Sequence, residues 1–269
     1  PGVPVRRILA EPLGGFSRPL GLALFRAEAF FFGFTRPWGL GALSAALHVA
    51  NALLLVLLLR RVGHSAPSSR AAGALLLVSP WAAEAFFWAS AQFDLLATLA
   101  VLVVLLAVLA ASRREEKGAA LATAGAGVAA TAALLAKESA ATLAAVAFFL
   151  VLSYPPKGPS SARRLAPVSL VLAGLTAAFL VVRSLVLPGL EGPYGNYMVL
   201  VAGGAGPRNL WSHAEAFLRL PFGASGAALA GLQAAWGGLL LLLVVRAAWR
   251  DARGTALRSL AFLASLAPV

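Results

Sequence analysis

The chain has no cysteine in its 269 residues, one methionine and three tyrosines. The missing thiols exclude disulfides and thiolate metal centres, and they remove any redox clue to the compartment. Charge is the second scarcity. Asp, Glu, Lys and Arg make up 12% of the chain, about half the share usual in a soluble domain. Acids are scarcer still, 10 against 22 Lys and Arg, for a formal net charge of +12. Apolar residues fill the space, at 60% of the total with a mean hydropathy of +0.86. A surface this poor in charge faces lipid. Nucleic acid is excluded as a partner by distribution, since a nucleic-acid surface gathers its cations into a stripe with aromatics between them. Here the cations sit in short clusters between apolar runs.

Those runs define an all-α, polytopic transmembrane helix bundle. Windows of about 20 apolar residues, enough to cross a ~30 Å hydrocarbon core, occupy Gly39–Leu59, Ala71–Trp88, Phe93–Ser112, Gly118–Ala136, Ser139–Ser153, Val168–Leu187 and Ala227–Val245. An eighth begins near Thr255 and meets the end of the sequence at Val269. The fourth and fifth windows are separated only by Lys137 and Glu138. A continuous helix through both would be about 55 Å long, so two spans with a tight turn at Lys137 are expected. Pro155–Pro167 reads as a basic Pro/Ser-rich loop. The eight spans form a single transmembrane domain over residues 1–269. With no initiator Met or signal peptide, the sequence is expected to be a fragment lacking an upstream first span and a downstream remainder.

The positive-inside rule orients the bundle. One side collects 13 Lys and Arg with three acids, Glu115, Glu116 and Asp251; the other holds nine Lys and Arg with seven acids. The second side is expected to be extracytoplasmic. It carries Glu11, Glu28, Glu84, Asp94, Glu138, Glu191 and Glu215. Ionisable groups are costly in lipid, so function is sought among these. Glu84 and Asp94 flank one hairpin tip, just after Pro80 weakens its helix. A carboxylate there serves as general base, metal ligand or acceptor for a sugar hydroxyl; alternatively Glu84 pairs with a basic neighbour while Trp81 and Trp88 anchor the interface. Lys137 and Glu138 cap the next hairpin on the same side. The Lys137 ammonium suits a phosphate, or it snorkels beside a counter-ion. Arg183, near the outer end of its span, either binds an anion or snorkels. Glu191, Tyr194, Asn196 and Tyr197 form a polar, aromatic loop suited to sugar contacts, or simply a turn. His48 and Asn51 share a mid-bilayer helix face and read best as interhelical hydrogen-bonding groups. Arg18–Phe34 and Asn209–Leu220 read as helices lying in the outer interface.

In order along the chain, these elements resemble a known family. Ser17-Arg18-Pro19-Leu20, His48-x-x-Asn51, Pro80-x-x-x-Glu84-Ala-Phe-Phe-Trp88-x-x-x-Gln92-x-Asp94-Leu-Leu, Ala136-Lys137-Glu138 and the late Arg183 are similar to motifs of the transmembrane, tetratricopeptide-bearing protein O-mannosyltransferases and their bacterial relatives. The resemblance implies a GT-C type glycosyltransferase fold. It implies transfer of a sugar from a polyprenyl-phosphate donor to a protein or glycan acceptor on the extracytoplasmic side, in a bacterial inner membrane. It places Glu84 and Asp94 on the sugar or acceptor side as catalytic groups, Lys137 and Arg183 on the donor phosphate, and Glu138, Tyr194 and Asn196 at the substrate. No cofactor or metal is implied. The family's Arg between the two acids is Gln92 here, its His before the proline is Ser79, and its first-loop acid, the usual candidate base, would lie upstream of Pro1, so the fragment is expected to lack the catalytic base. A flippase or transporter subunit for lipid-linked sugars, or a scaffold of the same fold without catalysis, are the alternatives.

Overall fold

The computed structural model describes residues 18–33, 37–78, 91–113, 116–154 and 159–186, all within one compact unit. Among these residues the structure is all helix, without strands. The helices are α1 (Pro19–Phe32), α2 (Pro37–Val62), α3 (Ala66–Val78), α4 (Gln92–Arg113), α5 (Glu116–Ala136), α6 (Leu143–Ser153) and α7 (Pro159–Val186), with a 3₁₀ segment, Glu138–Thr142, leading into α6. Among the described residues, four stretches are long and apolar enough to cross a membrane: Gly41–Val62, Gln92–Arg113, Lys117–Ala136 and Arg163–Leu185. The chain is a multi-pass integral membrane protein by this measure.

A helix that is apolar all round belongs in the middle of a bundle, and α4 meets that description. Phe93, Leu95, Ala97, Ala100, Val101, Val104, Leu105 and Val108 are all buried. Helices α2, α5 and α7 pack against it. By contrast α7, with 17% of its apolar window buried against 61% for α4, leaves Leu170, Val181, Val182 and Leu185 outward. Without water, burial between spans brings little hydrophobic gain; close packing and interhelical hydrogen bonds join them. Asn51 supplies one such bond, its Nδ2 donating to the Leu95 carbonyl at 2.9 Å. The interhelical role expected of Asn51 is therefore what the structure has.

The connections follow local chemistry. Helix α2 ends in a Schellman arrangement, with Gly63 N–H on the Arg60 carbonyl, His64 N–H on the Leu59 carbonyl and Gly63 at φ 107°, as left-handed C′ glycines commonly do. Ser65 then caps α3, its Oγ accepting from the Ser68 N–H at 3.3 Å. Between α5 and α6 there is neither Gly nor Pro. Lys137 nevertheless adopts an extended conformation, φ −155° and ψ 142°, and the helix stops. The two charges at 137 and 138 would otherwise lie inside a continuous apolar rod, where they are expensive. The expected turn at Lys137 is present.

Two expectations need correction. Ser139–Ser153 is not a full-length span: it is a 3₁₀ turn followed by 11 α-helical residues, about 17 Å of helix. Its ends still reach both ends of the bundle, since Glu138 lies beside Arg18 and Arg183 and the Tyr154 hydroxyl lies 3.2 Å from His64 Nε2 in the α2–α3 turn. The tighter, more elongated 3₁₀ turn, rising about 2 Å per residue, makes up the length. The second correction concerns Pro155–Pro167, of which the part from Pro159 onward is helix. Pro159 occupies the first helical position, where no N–H is needed, so α7 extends beyond the hydrophobic window into the basic segment. The window Ala71–Trp88 is seen as helix only as far as Val78; its remainder and everything after Val186 lie outside the described residues.

Helix α1 does not run alongside the spans. Gly21, Phe25 and Glu28, on one face at helical spacing, all meet α4 at its first two residues: a Cβ on Gly21 would stand 2.3 Å from the Phe93 ring, the Phe25 and Phe93 centroids are 4.7 Å apart, and Glu28 bonds Gln92. A 14-residue helix touching a neighbour at one level crosses that neighbour's end. Phe30 and Phe31 are exposed. The helix expected over Arg18–Phe34 is present as Pro19–Phe32. At the α1–α2 corner Gly33 has φ 67° and ψ 160°, a region almost reserved for glycine. Gly33→Ala is expected to cost about 1–3 kcal/mol, measurable as reduced resistance to thermal unfolding in detergent.

Candidate functional site

Helix ends carry partial charges, positive at the N-terminus and negative at the C-terminus. The antiparallel hairpin α4–α5 sets the start of α4 and the end of α5 at one level. Asp94 occupies the first turn of α4 and Lys137 follows the last residue of α5, each the sign its helix end favours. They form an ion pair through Lys137 Nζ and Asp94 Oδ1. Glu138 opens the 3₁₀ segment and Arg183 lies in the last turn of α7, again the favoured signs. Arg183 Nη1 stands 3.5 Å from Glu138 Oε1. Arg18 is the exception, a cation at the N-terminus of α1. It is held there by Glu138, with Arg18 Nε donating to Oε2 at 2.9 Å, and by the Phe93 ring 5.7 Å from its Cζ.

Five ionised side chains from four parts of the sequence thus gather at one end of the bundle, three cations around two carboxylates. Glu138 and Arg183 are nearly buried, at 15% and 10% exposure. Glu138 Oε1, Arg183 Nη1 and the neighbouring Ser139 Oγ are shielded from solvent and make no hydrogen bond. The opposite end carries Arg60, Arg61 and Arg113, with Arg113 donating to the Arg61 carbonyl at 2.7 Å. Guanidinium and ammonium groups are the side chains that suit phosphate oxygens, and here each is paired with a carboxylate. Among the described residues no three of His, Asp and Glu lie together as metal ligands.

Of the residues expected at a site, Asp94, Lys137, Glu138 and Arg183 are brought together. Glu84, Tyr194 and Asn196 lie outside the described residues. Gln92, set by the resemblance between the two acids, reaches across to α1 and α2. It is fully buried, and its Nε2 donates to Glu28 Oε1 at 3.1 Å and to Ser44 Oγ at 3.0 Å. Sequence reasoning left Arg18 and Glu28 without roles. Arg18 stood in a recognised motif, but only the packing of α1 across α4 delivers it to Glu138. Glu28 stood among apolar residues on a short helix, and its burial beneath α1 had no local signal. Comparisons with protein-family models, curated proteins and solved structures return no match.

Proposed function

We propose that this chain belongs to a membrane glycosyltransferase of GT-C type that moves a sugar from a polyprenyl-phosphate donor to a protein or glycan acceptor. The observation that supports this reading is the convergence of Arg18, Lys137 and Arg183 with Asp94 and Glu138 at one bundle end. The reaction joins an acceptor oxygen to the anomeric carbon and breaks the bond from that carbon to the lipid phosphate. The acceptor proton passes to a carboxylate, for which Glu84 is this chain's candidate. The departing phosphate takes the bonding electrons, and fixed cations stabilise it as its charge develops. Asp94 and Glu138 then act by holding those cations in place, so Asp94 orients Lys137 rather than touching the sugar. The cluster end is extracytoplasmic in this reading, because the opposite end carries the arginines that the positive-inside rule assigns to the cytoplasm.

The test uses the full-length protein in liposomes with a radiolabelled polyprenyl-phosphate sugar and a peptide or glycan acceptor. Label is expected to move to the acceptor, and Glu84→Gln to abolish transfer while expression persists. Movement of intact donor across the bilayer without cleavage would assign the chain to flippases instead.

A further inference from the structure

Beyond the Arg18–Glu138 pair, helix α1 carries contacts that sugar transfer does not use. From Arg18 through Gly21 and Phe25 to Glu28, one face of the helix lies on the bundle, and the opposite positions Ala23, Ala27, Phe30 and Phe31 are exposed. The docked face is tied at both ends: Arg18 to Glu138, and Glu28 to Gln92. Between the ties lies Phe93, the residue before Asp94. The helix therefore covers the start of α4 beside the charged cluster. It is joined to α2 through Gly33, whose backbone conformation is that of a glycine corner.

We infer that α1 is a protonation-latched cover: with the Glu28 carboxyl neutral the helix is docked and Arg18 is held on Glu138, and ionisation of Glu28 releases the helix and uncovers Phe93 at the start of α4. The geometry makes Glu28 the sensitive tie. Its side chain is 3% exposed. One oxygen accepts from Gln92, while Oε2 is buried without a hydrogen-bond partner. A neutral carboxyl tolerates that surrounding; a carboxylate with one amide donor and no cation does not. The elements packed against α1 are α2, α4 and α5. At this end they bring His48 one turn below Ser44 on α2, Asp94 on α4, and Lys137 with Glu138 following α5. Arg26 is on α1 itself. No ion pair joins Glu28 to any of them.

Burial raises the Glu28 pKa above its ordinary 4.5, partly opposed by the Gln92 hydrogen bond. The docked state therefore binds the proton more tightly than the released state. Docking is fully stable below the ordinary carboxyl range and is lost as pH rises through the raised value.

The inference is independent of sugar transfer and is tested without it. Spin labels at Ala27→Cys and Ala124→Cys, both exposed positions, report the separation of α1 from α5 by pulsed EPR in phosphatidylcholine vesicles. A single short separation at about pH 5 is expected to give way to a longer, broader one by about pH 9. Glu28→Gln should hold the short separation throughout, and Glu28→Asp should move the midpoint. A distribution that does not change with pH, or variants that titrate like the wild type, would overturn the cover.

Discussion

Glu138→Ala is expected to destabilise the protein more than any other single change at the charged end, by about 2–3 kcal/mol. The residue is the shared counter-ion of Arg18 and Arg183. Removing one partner from a buried ion pair costs roughly 3–5 kcal/mol, because the other charge is left uncompensated. The lower figure allows for the residual solvent at Arg18, which is 20% exposed. Two guanidiniums from helices far apart in sequence would then face each other with no anion between them. Unfolding in detergent, followed by heating or denaturant titration, measures the loss. Glu138→Gln should fall between, since an amide oxygen still accepts from Arg18 Nε. If Glu138→Ala unfolds with the wild-type midpoint, the triad contributes nothing to holding α1 and α7 on the bundle.

Lys137→Met is expected to lower sugar transfer by about 10²–10³-fold in kcat, the usual effect of removing one preorganised charge-stabilising group. The apolar stem is kept, so packing changes little. The loss should appear in kcat more than in KM, because the ammonium meets its full charge only as the lipid phosphate departs. Asp94→Asn should reproduce part of that loss, through an ammonium no longer held in position. The double variant should then be little worse than Lys137→Met alone, the non-additivity expected of contacting residues. Equal turnover in Lys137→Met and wild type would leave Lys137 as a snorkelling residue with a local counter-ion.

Much of the architecture was legible because lipid enforces simple rules. Backbone groups in hydrocarbon must be bonded within a helix, so apolar length alone announced the spans at Gly41–Val62 and Gln92–Arg113. The break at Lys137 was legible for a related reason: charge does not stay inside an apolar rod. Where those rules weaken, the sequence was less informative. Pro159–Pro167 has loop-like composition, yet it extends α7, since a proline at the helix start costs nothing and the segment lies beyond the apolar window. Ser139–Ser153 is apolar throughout, so its 3₁₀ opening was invisible to hydropathy.

The site divides in the same way. That acids and cations would meet at one end followed from the sequence alone, because alternating spans carry successive turns to alternate faces and local charge balance sorted those faces. Which cation meets which carboxylate depended on tertiary packing. Asp94 with Lys137 is a consequence of two adjacent antiparallel helices of nearly equal length. Arg18 with Glu138, 120 residues apart, required α1 to cross the end of α4, and that crossing is permitted by the missing side chain at Gly21. Gln92 shows the limit most plainly: it lies two residues from Asp94, but helical geometry turns it to Glu28 and Ser44. Periodicity in lipid determines the spans; the partner of each buried polar atom is decided only when side chains far apart in sequence share the same few ångströms.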